Sequence, residues 1–142
     1  MDAKRDADAD TLHGSVWFAR DAYRDEATRI EFRFASNRSW LFDAAVMQAE
    51  RGRGRYGRIL AGAAASLSAA GVTRILLCVD RRNANSARAH EKSGARTIDA
   101  VCGIRVGRLG LHRFRGRWYL RRQRVDRPLV LDLGLGESVG HA

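Results

Sequence analysis

A glycine- and arginine-rich stretch, ERGRGRYGRIL from Glu50 to Leu60, is the part of the sequence best suited to chemistry. It precedes an alanine-rich segment whose apolar spacing predicts a helix over residues 56–70. A glycine-rich loop before a helix exposes backbone N–H groups at the positive end of the helix dipole, where an anion is stabilised. The loop therefore suits a phosphate group, an RNA, or an exposed turn that binds nothing.

Two common phosphate-binding patterns fit this loop poorly. In the P-loop pattern, Arg58 and Ile59 stand where a lysine and a hydroxyl residue are required. The three glycines of the loop spell the dinucleotide pattern GxGxxG, and Asp80 ends the next predicted strand. However, several residues separate the loop from the preceding strand, and one strand–helix unit is too little chain for the second half of a dinucleotide-binding sheet.

A third pattern accounts for more residues. Residues 45–60 resemble the acetyl-CoA pyrophosphate loop of the GNAT (Gcn5-related N-acetyltransferase) superfamily, which reads Arg/Gln-x-x-Gly-x-Gly/Ala after a strand. Arg51 and Gly54 match this pattern, whereas Tyr56 stands where the family has a small residue. The proline that usually precedes the loop is Gln48 here.

A second segment, VDRRNANSARAHEKSGA over residues 79–95, is similar to the strand–loop–helix motif of the same family. Asn83, Ser86 and Gly94 fall on the motif's asparagine, small residue and glycine, and His90 stands where the family has a tyrosine. The apolar pattern along the chain predicts three antiparallel strands, then helix, strand, helix and one or two strands, an α/β (α+β) mixed sheet. This order agrees with the GNAT-like fold that the resemblance implies.

The resemblance covers roughly residues 42–95 and implies a reaction, the direct transfer of an acetyl group from acetyl-CoA to an amine. It implies that a strand backbone pairs with the pantetheine arm and that the loop amides hold the pyrophosphate, without a metal. Solvated surface is the alternative for each arginine, and helix capping is the alternative for the asparagine. The residues assigned to donor binding are Ala45, Val46, Arg51, Gly52, Arg53, Gly54, Arg55, Tyr56, Gly57, Asn83 and Ser86, with Arg58 as a further source of charge.

Acetyl transfer to an amine also needs a neutral nucleophile and a proton for the departing thiolate. The resemblance places His90 where related enzymes use a tyrosine as general acid, and an imidazole titrates near neutrality. Asp43, on the strand before the loop, is the candidate general base, with Glu31 and Glu50 as rivals. The alternatives are a surface histidine without a catalytic role and carboxylates that are simply solvated.

The apolar pattern predicts a single domain over residues 15–126, between a flexible leader (1–14) and a tail (127–142) that we expect to be poorly ordered beyond Leu133. Cys78 and Cys102 lie in apolar runs and are predicted to be reduced thiols in the core. Strands are predicted over 15–23, 27–35, 40–47, 72–80 and 97–106 and near 118–120, and helices over 56–70 and 84–93.

The net charge of +10 is unevenly distributed along the chain. Residues 1–50 carry 7 basic and 10 acidic side chains, whereas residues 51–142 carry 19 and 6. A basic half suits a polyanion, and the arginine run 105–124, with Phe114, Trp118 and Tyr119, has the composition of a nucleic-acid surface. Three functions are therefore open: the acyltransferase, a degenerate GNAT domain that binds CoA or a protein without catalysis, and a basic nucleic-acid-binding domain.

The family's first strand and first two helices, which normally wall the acceptor pocket, have almost no chain to form them. The acceptor site would then be incomplete, completed by a second subunit of a homodimer, or lost, and the acceptor amine stays unidentified. The first ten residues lack the apolar segment of a secretory signal. No apolar run reaches the ~20 residues of a membrane span, so we expect a cytoplasmic protein that does not enter the membrane.

Overall fold

The computed structural model describes residues 2–8, 11–122 and 127–134 of the 142-residue chain. The elements in chain order are β1 (Asp2–Asp8), β2 (Thr11–Arg20), β3 (Ala22–Asp25), β4 (Ile30–Arg33), β5 (Arg38–Val46), a 3-10 turn (Gln48–Glu50), α1 (Arg55–Ala69), β6 (Arg74–Leu77), α2 (Ala84–Lys92), β7 (Cys102–Val106), β8 (Leu109–Phe114), β9 (Arg117–Arg122) and β10 (Leu129–Asp132). The mixed α+β class predicted from the sequence is confirmed.

The strands form three sheets. The first has the order β1-β2-β5-β6, in which β1, β2 and β5 are antiparallel and β6 runs parallel to β5. The second has the order β10-β4-β3, with β10 parallel to β4, and the third is the antiparallel meander β7-β8-β9. A parallel neighbour for β5 requires a crossover, which α1 provides.

Two apolar clusters hold the domain together. Ile59, Ala63 and Leu67 are spaced one helical turn apart on α1, and they pack with Val16 and Phe18 of β2. The other cluster joins the first two sheets around Trp40, whose ring stacks on those of Tyr23, Phe32 and Phe34 at centroid distances of 5.7, 4.6 and 6.2 Å. The first sheet is therefore buried on two sides, by α1 on one and by the second sheet on the other.

The predicted flexible leader over residues 1–14 is wrong within the described residues. Residues 2–8 form β1, and β2 begins at Thr11, well before the first strand predicted from the sequence. β1 is an edge strand that pairs with β2 through its backbone. Backbone hydrogen bonds do not require a particular side chain, so this strand can form without an apolar period in its sequence.

The first predicted strand, residues 15–23, is divided between two sheets. Asp21 has a φ of +66°, and this left-handed residue ends β2 and starts β3 in the neighbouring sheet. As a result, β5 pairs directly with β2, whereas β4 pairs with β3 and β10. All three predicted strand regions exist, but they are divided between two sheets and are not three successive antiparallel neighbours in one sheet.

The chain beyond residue 126 is also ordered where it is described. Leu129, Leu131 and Leu133 are buried, and β10 lies parallel to β4. The buried guanidinium of Arg38 donates from Nη1 to the Leu133 carbonyl at 2.7 Å. The segment predicted as a tail therefore belongs to the fold as far as Leu133. The expectation of poor order beyond Leu133 concerns Gly134 and residues 135–142, and the latter lie outside the described part.

The predicted helices are confirmed, whereas the predicted burial of the two cysteines is wrong. The helices predicted over 56–70 and 84–93 are confirmed to within one residue at each end. Cys78 and Cys102 are free thiols as predicted, but both are exposed and neither belongs to the core. Regular structure in the strand predicted over 97–106 begins at Cys102, and β7 has no buried residue.

Candidate functional site

One edge of β5 is open at its C-terminal half. The partner β6 pairs with residues 38–41 alone, and within the described residues no strand continues beside residues 42–46 on that side. On the other side β2 follows β5 all the way to Val46, with Phe42 as an extra residue between Leu41 and Asp43. A bulge of this kind bends a strand and is frequent beside functional sites. The bend coincides with the end of β6.

The backbone groups that face the open edge follow from the ladder between β2 and β5. Met47 N–H donates to the His13 carbonyl at 2.9 Å, and paired and unpaired residues alternate along an antiparallel ladder. Ala45 therefore directs its backbone groups to β2, and a Cβ on Gly14 would lie 2.5 Å from the Ala45 oxygen. Ala44 and Val46 face the open edge. Ala45, assigned to donor binding from the sequence, thus has its backbone on the opposite edge.

The glycine loop joins this edge to α1. Gly52 and Gly54 have φ values of +77° and +70°, a conformation that glycine adopts without steric cost. Gly54 is the N-cap of α1 and supplies no side-chain cap hydrogen bond, so the first N–H groups of the helix lack the usual partner. A Cβ at Gly52, Gly54 or Gly57 would meet nothing within 4 Å. The loop is therefore open to an approaching group.

A carboxylate holds the arginines of the loop. Glu50 accepts from Arg53 Nη1 at 3.1 Å and from Arg55 Nε at 2.9 Å. The hydrogen bond from Arg55, followed by the charges of Arg53, Arg55 and His13, keeps the pKa of Glu50 below its usual value. Arg51 Nε donates to the Val46 carbonyl at 3.3 Å. Glu50 is a candidate base in the sequence analysis, but in the structure its carboxylate orients two arginines.

The start of α2 shows that Asn83 is a helix cap. Its side-chain oxygen accepts from Ser86 N–H at 3.0 Å, which is the geometry that makes asparagine a preferred N-cap. This contact explains both residues of the motif without a ligand. Their assignment to donor binding stays a prediction.

Tyr56 and His90 meet where α1 begins and α2 ends. The Tyr56 hydroxyl lies 2.9 Å from His90 Nδ1, and the two rings meet edge to face at 5.3 Å. His90 is the buried residue of α2, with 7% of its surface exposed. Burial raises the pKa of Tyr56 to about 12 and lowers the pKa of His90 below its usual value. Both groups are therefore neutral at pH 7.

We expect this burial to make the fold less stable at mildly acidic pH. His90 and His112 both have a pKa lowered by burial, so below about pH 6.5 the unfolded chain takes up protons that the folded chain does not. The free energy of unfolding should be fully retained above pH 6.5 and should fall as the pH drops toward the lowered values. Urea denaturation at pH 7.5 and 5.5 measures this, a range that lies above the ordinary titration of carboxylates.

The histidine variants supply the control for this prediction. His90→Gln and His112→Gln should each reduce the difference in unfolding free energy between the two pH values. A wild-type protein that is equally stable or more stable at pH 5.5 would contradict the prediction.

The candidate base, Asp43, lies on the opposite face of β5 from α1. Val46 packs on the α1 side, and residues an odd number of positions apart face opposite sides of a strand. Asp43 is exposed, and no cation of the described residues lies within ion-pair distance of it. Its rival Glu31 is paired with Arg33 Nε at 2.6 Å. Burial, followed by the charges of Asp25, Asp43 and Glu26, raises the pKa of the neighbouring Tyr23.

The arginine run predicted over residues 105–124 is described as far as Arg122, and that part forms most of the meander β7-β8-β9. Of its three aromatic side chains, Phe114 is buried and Tyr119 packs against the core, whereas Trp118 is 62% exposed beneath the Arg113 guanidinium. Nucleic-acid binding by stacking uses several exposed rings, and this face presents one. The remaining exposed large hydrophobic side chains of the meander are aliphatic: Ile104, Val106, Leu109 and Leu120.

Membrane-spanning helices and metal-binding clusters are both absent from the described residues. None of the described helices is long and apolar enough to cross a membrane. The same part of the chain contains no group of three or more histidine, cysteine, aspartate or glutamate side chains placed to hold a metal ion.

Comparison with solved structures identifies the fold. A Bacillus subtilis protein, YycN, described as a candidate acetyltransferase, matches with a TM-score of 0.53 at 16% identity over 70% of this chain and 57% of its own. A ribosomal-protein-alanine N-acetyltransferase from Brucella melitensis matches with a TM-score of 0.53 at 16% identity over 73% and 70%. An aminoglycoside acetyltransferase from an uncultured soil sample matches with a TM-score of 0.51 at 8% identity over 69% and 59%.

These likenesses mean that the chain has the fold of the GNAT acetyltransferases. It spans less than two thirds of the length of YycN and of the soil enzyme. No protein-family model matches the sequence, and no curated protein does.

Proposed function

We propose that this chain, which has the GNAT acetyltransferase fold, is an acetyl-CoA-dependent acyltransferase that moves an acetyl group directly to an amine. The observation that carries the proposal is the open edge of β5 over residues 42–46, which leads into a glycine loop at the start of α1. An open strand edge that leads directly to the first turn of a helix suits a ligand that has an amide-containing arm and a phosphate group. Acetyl-CoA has both.

The pantetheine arm would lie along β5 as an added strand. The N–H and C=O groups of Ala44 and Val46 face the open edge, and backbone pairing of this kind binds extended ligands. Arg51 already donates to the Val46 oxygen, so the arm would share that oxygen or displace the guanidinium. Ala44 therefore takes the place that the sequence assigned to Ala45.

The pyrophosphate would bind at the glycine loop. The first N–H groups of α1 supply donors, and the helix dipole favours a negative charge there. Glu50 neutralises part of the charge of Arg53 and Arg55 while fixing the position of both guanidinium groups. The exposed Arg58 makes no ion pair within the described residues and adds a further positive charge.

The transfer itself forms a C–N bond and breaks the C–S bond of the thioester. The amine must lose one proton as it attacks, and the thiolate must gain one. Asp43 faces one side of the β5 edge, and on the other side Tyr56 packs against the same apolar cluster as Val46. A thioester lying along the edge would therefore have a base on the side of the amine and a hydroxyl on the side of the sulfur.

Replacing the proposed base, Asp43→Asn, should lower kcat/KM for the amine by about 100-fold, because general base catalysis typically contributes 10²–10⁴. The KM for acetyl-CoA should change little. Asp132→Asn is the matched control, because Asp132 is an exposed strand aspartate on β10, in another sheet. Equal rates for Asp43→Asn and the wild type would remove Asp43 from the mechanism.

The proposed function is tested by ligand binding and then by turnover. Acetyl-CoA at ~100 times its dissociation constant should stabilise the fold by about 2.7 kcal/mol, which thermal denaturation detects. Release of the CoA thiol with a panel of amines then measures transfer. Absence of stabilisation by both acetyl-CoA and CoA would overturn the proposal. Stabilisation without thiol release would instead indicate a domain that binds CoA without catalysis.

A further inference from the structure

The contact between Tyr56 and His90 joins two residues that the functional assignment treated separately. Both depart from the family patterns that their segments resemble, since Tyr56 stands at a small-residue position and His90 at a tyrosine position. The structure places their side chains in hydrogen-bonding contact at 2.9 Å. The phenol that the second motif lacks is therefore present, but it comes from the first turn of α1.

The position of the pair suits a role at the leaving group. Tyr56 packs against the same apolar cluster as Val46, the last residue of the open β5 edge. It also lies in the first turn of α1, next to the loop proposed to bind the pyrophosphate. The thioester of a donor lying between these two places would pass close to the Tyr56 side chain.

We propose that Tyr56 is a catalytic residue that donates a hydrogen bond to the departing sulfur of acetyl-CoA, and that His90 is the positioning residue that holds its hydroxyl. This inference rests on the proposed acyl transfer and identifies the hydrogen-bond donor to the leaving group in that same site. It replaces the prediction that His90 itself is the acid, because His90 is buried and a ring nitrogen faces Tyr56.

The protonation states fit this division of roles. A neutral imidazole has one N–H, and a neutral phenol has one O–H. If His90 Nδ1–H donates to the phenol oxygen, the phenol proton is left to donate to a third atom. As the C–S bond breaks, its electron pair stays on sulfur and the Tyr56 O–H stabilises the negative charge.

The fate of the proton follows from the acidities. Burial raises the pKa of Tyr56 to about 12, whereas an ordinary thiol has a pKa of about 8.5. Complete transfer from the phenol to the free thiolate is therefore uphill. The hydroxyl stabilises the developing thiolate, and the released thiolate takes its proton from water, while the amine gives its proton to the base.

Removing the hydroxyl is the direct test. Tyr56→Phe should lower kcat by roughly 10- to 100-fold, because a preorganised donor acts on the charge of the transition state. The KM for acetyl-CoA should stay within about twofold. Tyr119→Phe is the matched control, since Tyr119 lies on β9, in another sheet than β5. A Tyr56→Phe enzyme with the wild-type kcat would overturn the inference and leave the proposed function intact.

The leaving group separates a chemical role from a structural one. The acetyl thioester of 4-nitrothiophenol releases a weakly basic thiolate that needs little stabilisation. With this donor, Tyr56→Phe and the wild type should react at similar rates. An equal loss with both donors would mean that the hydroxyl merely docks α2 on α1, and would overturn the inference.

Variants of His90 test the positioning role. His90→Phe should lower kcat about as much as Tyr56→Phe, and combining the two should add little, because both remove the same interaction. His90→Asn, which keeps an N–H near Nδ1, should restore part of the rate. The double variant Tyr56→Ala with His90→Tyr returns the hydroxyl to α2 and should also recover activity. A wild-type protein without any turnover would overturn the proposed function and this inference with it.

Discussion

Replacing Gly54 by valine should weaken acetyl-CoA binding by about 100-fold. Gly54 has a φ of +70° at the N-cap of α1, where a β-branched residue is strongly disfavoured. The substitution should turn the first N–H groups of the helix away from the phosphates. Charge-assisted hydrogen bonds contribute about 1.5–3 kcal/mol each, and about 2.7 kcal/mol corresponds to 100-fold in affinity. Isothermal titration with acetyl-CoA measures the change.

Gly71 provides the matched control for this variant. It lies just beyond the opposite end of α1 with a φ of +82°, and a Cβ there also meets nothing within 4 Å. Gly71→Val should therefore cost a similar amount of folding free energy while leaving the affinity for acetyl-CoA unchanged. If Gly54→Val and Gly71→Val bound acetyl-CoA with equal affinity, whether strong or weak, the loop would not be the phosphate site.

The second large effect is expected at Gly14, in the segment that the sequence presented as a flexible leader. A Cβ at this position would lie 2.5 Å from the Ala45 oxygen and 2.7 Å from Ile59 Cδ1. The Ile59 side chain can move, but the β5 backbone cannot do so without loss of its pairing with β2. We expect Gly14→Ala to lower the free energy of unfolding by about 1–3 kcal/mol, the usual range for overpacking. Urea denaturation at pH 7.5 measures it.

Gly62→Ala is the matched substitution, and we expect it to change the free energy of unfolding in the opposite direction. Gly62 lies within α1, and a Cβ there meets nothing within 4 Å. Alanine should therefore stabilise the protein by about 0.5–1 kcal/mol through its higher helix propensity. A Gly14→Ala protein as stable as the wild type would mean that β2 and β5 are less closely paired around Ala45.

The sequence was sufficient where the signal is local. The spacing of Ile59, Ala63 and Leu67 predicts α1 and its buried face, because a helix places these residues on one side whatever surrounds it. Asn83 and Gly94 bracket α2 in the same way. The two spaced motifs therefore indicated the correct fold class, and they selected the loop and the strand that lie together in the structure.

Some features of the candidate site escaped prediction because they depend on pairing between distant segments. Whether Ala44 or Ala45 faces the open edge is decided by the register of β5 against β2, and a shift of one residue would exchange them. Glu50 reads as a possible base in the sequence, and its role follows from two arginines that fold back onto it. No periodicity encodes either arrangement.

The sequence by itself thus determined the two helices, the apolar faces of the central strands and the glycines that open the loop, since each depends on residues a few positions apart. The tertiary structure alone decided that residues 2–8 and 129–132 complete two of the sheets and that the Tyr56 hydroxyl meets His90 across 34 positions. The physical reason is the same in each case. Contacts between residues far apart in the chain are selected by packing of the whole domain, and they leave no pattern in the segments that make them.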